Sequence, residues 1–151
     1  MNGKKTVADV YIQRDVLNEA IGLAKDAAPK ETIGFLLGKV REWEDNTYVI
    51  IDRIITAATD STETTTKFKM ESLGKVADEI NDDEIIVGWY HSHPGYGCFL
   101  SETDIITHVQ QFYNHYNVAL VIDPIREELK FFKADDEGNY WEVIYELFDE
   151  G

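Results

Sequence analysis

The spacing of apolar residues changes several times along the chain, and each change predicts a new element. VADVYI, residues 7–12, is short and apolar enough to form a strand. QRDVLNEAIGLAKDAAP then places Val16, Ala20, Leu23 and Ala27 at helical spacing, with Pro29 just past the end, where a residue without an N–H stops a helix. TIGFLLGKV and TYVIIDRIITA are β-branched and apolar, and the polar REWEDN between them has the composition of a hairpin turn. The threonine-rich TDSTETTTKFK is too polar for a core and too short for a domain linker, which predicts a loop or an exposed edge. MESLGKVADEI returns to helical spacing through Met70, Leu73, Ala77 and Ile80. IIVGWYHSH is apolar on both sides, as expected of a strand in the middle of a sheet.

The second half follows the same logic. SETDIITHVQQFYNHYN predicts a helix with Ile105, Val109, Phe112 and Tyr116 on one face. VALVID reads as a buried strand stopped by Pro124, and LKFFKADDEGNYWEVIYELF as two strands around a turn. There is no internal repeat and no low-complexity segment. The expected fold class is α+β with a single core: a mixed, mostly antiparallel β-sheet flanked by about three helices, in one domain spanning residues 1–151.

Composition narrows the partners. The 151 residues suit one domain, and 44% hydrophobic residues supply a sizeable interior. Asp and Glu number 29 against 14 Lys and Arg, and the resulting charge of −15 repels the phosphates of nucleic acids and of anionic membranes. A single cysteine permits no intrachain disulfide and gives no sign of an oxidising compartment. No apolar run approaches the roughly 18 residues of a membrane span, and MNGKKTVADVYIQ has no apolar leader segment. The expectation is a soluble, cytoplasmic protein with neither nucleic-acid nor membrane partners.

The densest chemistry lies in VGWYHSHPGYGCFLSETD, residues 87–104. On a strand, His91 and His93 project to the same face, so two imidazoles reach one metal without distorting the backbone. Pro94 ends the strand, the glycines of PGYG allow a tight loop, and Ser101 begins a helix as its N-cap, bringing Asp104 into the first turn. Two imidazoles and one carboxylate suit Zn²⁺ and leave a tetrahedral position for water, the arrangement of a catalytic site. SETD is also a capping-box pattern, in which Asp104 would only return a hydrogen bond to the helix start. The coincidence of all four positions favours the metal. Amide hydrolysis also needs a base, and spacing alone does not choose one among the chain's glutamates.

GWYHSHPGYGCFLSETD matches the JAMM motif of the MPN+ zinc metalloprotease family and closely resembles the branch containing the proteasome-lid deubiquitinase and the COP9 signalosome deneddylase. The resemblance implies the JAB1/MPN fold, with its cytidine-deaminase-like layout, and one catalytic Zn²⁺ on His91, His93 and Asp104. It implies Ser101 as a helper at the oxyanion and, because the family carries a glutamate in an E-x-x-G segment like ETIGFLLG, Glu31 as general base. Conjugates of ubiquitin or a ubiquitin-like modifier are the implied partners, cleaved at lysine isopeptide bonds, with a proteasome as a further associate. The modifier's extended tail would lie beside a sheet edge near the threonine-rich segment. The sequence ends on YELFDEG, so it is expected to lack the C-terminal helices of the eukaryotic relatives, and it has no spare Cys and His for a second, structural zinc. Both traits suit a compact, archaeal-type member. Alternatives are a processing protease for a sulfur-carrier or ubiquitin-like precursor, and a non-catalytic scaffold subunit.

Neighbouring residues receive plainer readings. Cys98 is expected to pack the loop, His108 to stand behind the ligands, His115 to lie at the surface and Trp89 to cover the site's apolar side. Two other zinc classes are excluded: the H-x-E and P-C-x-x-C pair of deaminases and the H-E-x-x-H helix of common zinc proteases are both absent.

Overall fold

A computed structural model of the chain describes residues 8–56 and 76–149. Its elements in chain order are β1 (Val10–Gln13), α1 (Arg14–Ala27), β2 (Ile33–Trp43), β3 (Asn46–Thr56), β4 (Ile85–Ser92), α2 (Glu102–Gln111), β5 (Val118–Asp123), β6 (Glu128–Ala134), β7 (Tyr140–Val143) and β8 (Tyr145–Phe148). The threonine-rich segment lies outside the described residues. So does most of MESLGKVADEI, of which residues 76–79 are helical. No described helix is long and apolar enough to cross a membrane.

All eight strands of the described residues join one mixed sheet in the order β7-β6-β5-β4-β2-β3-β1-β8. β4 occupies the middle, as its two-sided apolar pattern requires. β2 and β3 form the expected hairpin, closed by Glu44 and Asp45 at φ 48° and 67° between the paired Trp43 and Asn46. Two consecutive residues with positive φ give the hairpin turn whose twist matches that of the strands.

Two apolar layers cover the sheet. On one side α1 packs Val16, Leu17, Ala20 and Ala24 against Val10, Ile12, Leu36, Ile51 and Leu120. The helix is rotated slightly from the face predicted, so Leu23 is only partly buried. On the other side Ile33, Phe35, Leu37 and Trp89 meet Val76, Leu100 and Phe112.

β2 is out of step with its neighbours at two places, which re-aims the chain. Its pairing with β4 jumps from Leu36↔Gly88 to Leu37↔Ile86, leaving Val87 as an extra residue, and its pairing with β3 skips Asp52. The bulge sends Val87 to the α1 side while Trp89 remains on the other. Gly88, beside it, lies against β5 so closely that a Cβ would press into the carbonyl oxygen of Val118. Gly88→Ala is therefore expected to cost about 1–3 kcal/mol, read as a lowered urea midpoint at unchanged slope.

Two expectations are corrected. The helix over SETDIITHVQQFYNHYN ends at Gln111, so Tyr116 lies beyond it. Asn114 and Asn117 hold each other in a local turn, the Asn114 N–H donating to Asn117 Oδ1 at 2.9 Å and the Asn117 N–H to the Asn114 carbonyl at 2.9 Å. Such side-chain bonding competes with helical geometry. The C-terminal segment forms three strands rather than two. β6 and β7 flank the expected turn, but the chain then leaves β7 at Ile144 and pairs β8 with β1, at the opposite end of the strand order. The Ile144 carbonyl accepts from the Asp9 and Val10 N–H groups. One residue thus connects the two end strands, and the sheet curls back on itself. EVIYEL contains no turn residue to announce the break, which the curl imposes.

Candidate metal centre

The strand register assembles the site. Ile33, His91 and Val121 sit side by side on β2, β4 and β5, which are neighbours in the sheet. β2 runs against β4 while β5 runs with it, so two residues farther toward the same sheet end stand Glu31, His93 and Asp123. Past β4, the loop is turned by Gly95 and Gly97 at φ 83° and 85°, and it delivers the chain to Ser101, the N-cap of α2.

His91, His93 and Asp104 converge, and all three are buried. His91 Nε2 lies 2.8 Å from His93 Nε2 and 3.0 Å from Asp104 Oδ2, and His93 Nε2 lies 3.1 Å from the same oxygen. Protons satisfy such a triangle poorly, because a hydrogen placed along one side leaves the third atom facing a lone pair. A cation satisfies all three. The corners lie about 1.7 Å from the triangle's centre, which is within the roughly 2.0–2.2 Å reach of zinc to nitrogen and oxygen, so the three atoms could hold one ion together. His93 Nδ1 donates to the Gly97 carbonyl at 3.2 Å, which frees Nε2 as a ligand. His91 Nδ1 is buried with no hydrogen bond among the described residues.

The Asp104 carboxylate carries the negative charge that a cation would need. Burial would raise Asp104, but hydrogen bonds from both histidines and from the Ser101 N–H hold it far below the usual carboxylate range. Burial lowers His91 below its ordinary value, while for His93 the attraction of Asp104 outweighs burial and raises it. Glu31 is half-buried, and that burial raises its carboxyl, with His93 pulling it down and Asp104 pushing it up. Its proximity to both ligands suits a proton acceptor.

Capping and metal geometry prove to be one arrangement. The Asp104 N–H donates to Ser101 Oγ at 3.1 Å, and the Ser101 N–H donates to Asp104 Oδ2 at 2.9 Å. The carboxylate oxygen that closes the capping box is the one that faces both histidines. Ser101 Oγ accepts in the cap, leaving its O–H to donate elsewhere.

The surrounding residues largely follow the sequence reading. Trp89 is fully buried, and its indole stacks on the His91 ring at 4.6 Å and 10°. Its Nε1–H donates to His108 Nδ1 at 3.0 Å, so Trp89 links His108 to the His91 ring. Burial pushes His108 down to about 4, keeping it neutral. Cys98 Sγ lies 3.5 Å from the Val121 carbonyl, and burial raises its thiol to about 11, leaving a protonated packing group. His115 is exposed. Two residues escaped the sequence reading. Ser92, between the histidines, accepts the Thr32 N–H on its Oγ at 2.9 Å and donates its own N–H to the Thr32 carbonyl at 3.0 Å, fixing the residue next to Glu31. Asp123 is the other. Its only sequence signal is an aspartate at a strand end before Pro124, a turn-forming position.

A curled sheet with two histidines at a strand end and an aspartate at a helix start, able to hold a metal ion, is the arrangement expected of a JAB1/MPN domain. Residues 5–118 match the family model described as JAB1/Mov34/MPN/PAD-1 ubiquitin protease, and the chain belongs to this family. It is 37% identical over 125 residues to COP9 signalosome complex subunit 5 of Drosophila melanogaster, a match covering 78% of this chain and 37% of that protein. It is 31% identical over 127 residues to 26S proteasome regulatory subunit RPN11 of Candida glabrata, covering 83% of this chain and 42% of that one. The matched region is thus less than half the length of these relatives. Among solved structures, a protein from Desulfitobacterium hafniense superposes with a TM-score of 0.67 at 23% identity, covering 93% of this chain and 94% of the other. A JAB1/MPN domain protein from Archaeoglobus fulgidus gives 0.58 at 20% identity, covering 92% and 99%. The last two likenesses establish the fold.

Proposed function

We propose that this chain is a zinc-dependent isopeptidase that releases ubiquitin or a ubiquitin-like modifier from lysine side chains. The observation that carries the reading is the convergence of His91 Nε2, His93 Nε2 and Asp104 Oδ2 on one point, with Glu31 close enough for both His93 and Asp104 to act on its charge. A zinc ion held by those three atoms supplies Lewis acidity toward a carbonyl and makes water a stronger nucleophile at neutral pH. Glu31 then takes the proton of the attacking water and hands it to the departing lysine amine. The Ser101 O–H donates to the oxygen on which negative charge develops. The modifier class rests on the family's description as a ubiquitin protease, and association with a proteasome on the similarity to a proteasome regulatory subunit.

The test uses isopeptide-linked conjugates of the host's own ubiquitin-like protein, with peptide-bonded precursors of a sulfur carrier beside them. The zinc-loaded chain is expected to free the modifier from the first, to stop on addition of a chelator and to resume on return of zinc. Processing of the precursors alone would move the assignment to the processing protease. A chain that takes up no zinc would be a scaffold.

A further inference from the structure

We infer that Asp123 is a positioning residue for the metal centre, gripping the loop whose backbone orients His93. The inference rests on the metal reading above and adds to it a residue that touches neither metal nor substrate. Asp123 ends β5 and is completely buried. Its Oδ2 accepts the Gly97 N–H at 2.7 Å, and its Oδ1 accepts from the N–H groups of Gly95, Ile125 and Arg126 at 2.9, 3.0 and 3.0 Å. One side chain therefore ties the PGYG loop to the β5–β6 turn. Gly97 is also the residue whose carbonyl faces His93 Nδ1. Its N–H is held by Asp123 while its backbone sits at φ 85°, so fixing one end of the residue narrows where the carbonyl points. That carbonyl selects the tautomer in which His93 presents a bare Nε2 to the ion. The His93 N–H reaches the Ile122 carbonyl at 2.8 Å, so backbone and ring are both anchored to the end of β5.

An ionised carboxylate is the group that does this. It has two oxygens and about four lone-pair positions for four N–H donors. Its backbone bonds keep Asp123 ionised against the effect of burial. An asparagine has one accepting oxygen and must turn its NH₂ toward either Gly97 or the other three donors.

The experiment compares the full-length wild type with Asp123→Asn by competition for zinc against a chromophoric chelator. The variant is expected to bind zinc about 10- to 100-fold more weakly, the usual cost of removing a partner one step behind a ligand, while the metal-free form keeps its far-ultraviolet spectrum. A folded variant with wild-type zinc affinity would overturn the inference while leaving the metal site intact. A wild type that binds no zinc would remove the metal reading and this inference together. Should the variant fail to fold, nitrogen-15 spectra of the zinc-loaded wild type decide. A proton on His93 Nδ1 and a slowly exchanging Gly97 amide are expected, and a bare Nδ1 or a freely exchanging Gly97 amide would refute it.

Discussion

Replacing Glu31 with glutamine is expected to leave zinc affinity unchanged and to lower turnover by about 10²- to 10⁴-fold, the range supplied by a positioned acid–base group. Glutamine keeps the size of the side chain and removes only the capacity to take a proton. Burial has already raised this carboxyl above the ordinary glutamate value. A raised value brings the group nearer the working pH, which favours a proton carrier that must both accept and return a proton. Measurement of kcat on a fluorogenic isopeptide conjugate, with zinc content measured on the same samples, checks the assignment. Turnover equal to wild type in a fully loaded Glu31→Gln would assign the base elsewhere.

His91→Ala is expected to lose metal and activity together. If three ligands share an apparent binding free energy on the order of 10 kcal/mol, removing one costs about 3 kcal/mol, a fall of roughly 10²-fold or more in affinity. His91 is fully buried and stacked on Trp89, so no neighbouring water or side chain readily takes its place. Thermal melts provide the cleanest comparison. A ligand that binds the native state alone raises the midpoint, so at the same zinc concentration the wild type should be stabilised clearly more than His91→Ala. Equal stabilisation of both by zinc would show that the ion binds somewhere other than this triangle.

How much of this was legible in the sequence depended on how local each feature is. The ligand set is nearly all local. A strand period of two aligns His91 with His93, Pro94 closes the strand, and Ser101 starts a helix that carries Asp104 in its first turn. The capping box and the metal ligand were weighed as competing roles for Asp104, yet the carboxylate oxygen that closes the cap is the one that faces both histidines, so the two roles are compatible. Glu31 was different. Nothing near it in the chain marks it as a base; the family resemblance alone named it, while the register of β2 against β4 sets Ile33, two residues on, beside His91. Asp123 and Ser92 were missed because their meaning lies in backbone groups that come close only after folding. The path of β8 across to β1 was hidden for a similar reason: Val143, Ile144 and Tyr145 form an unbroken apolar run whose division is set by strands far away in sequence.

The ladder through Ile33, His91 and Val121 makes the length of β2 as informative as its composition. Side chains alternate across a strand, so deleting a single residue between Ile33 and Leu37 would turn Glu31 toward the opposite layer while leaving every ligand in place. This stretch is fully buried and Gly34 has no room for a Cβ, so both its residues and their number are constrained. On the proposed role of Glu31, such a deletion would abolish turnover while zinc uptake persisted, turning the fold into a silent binding partner of the same shape.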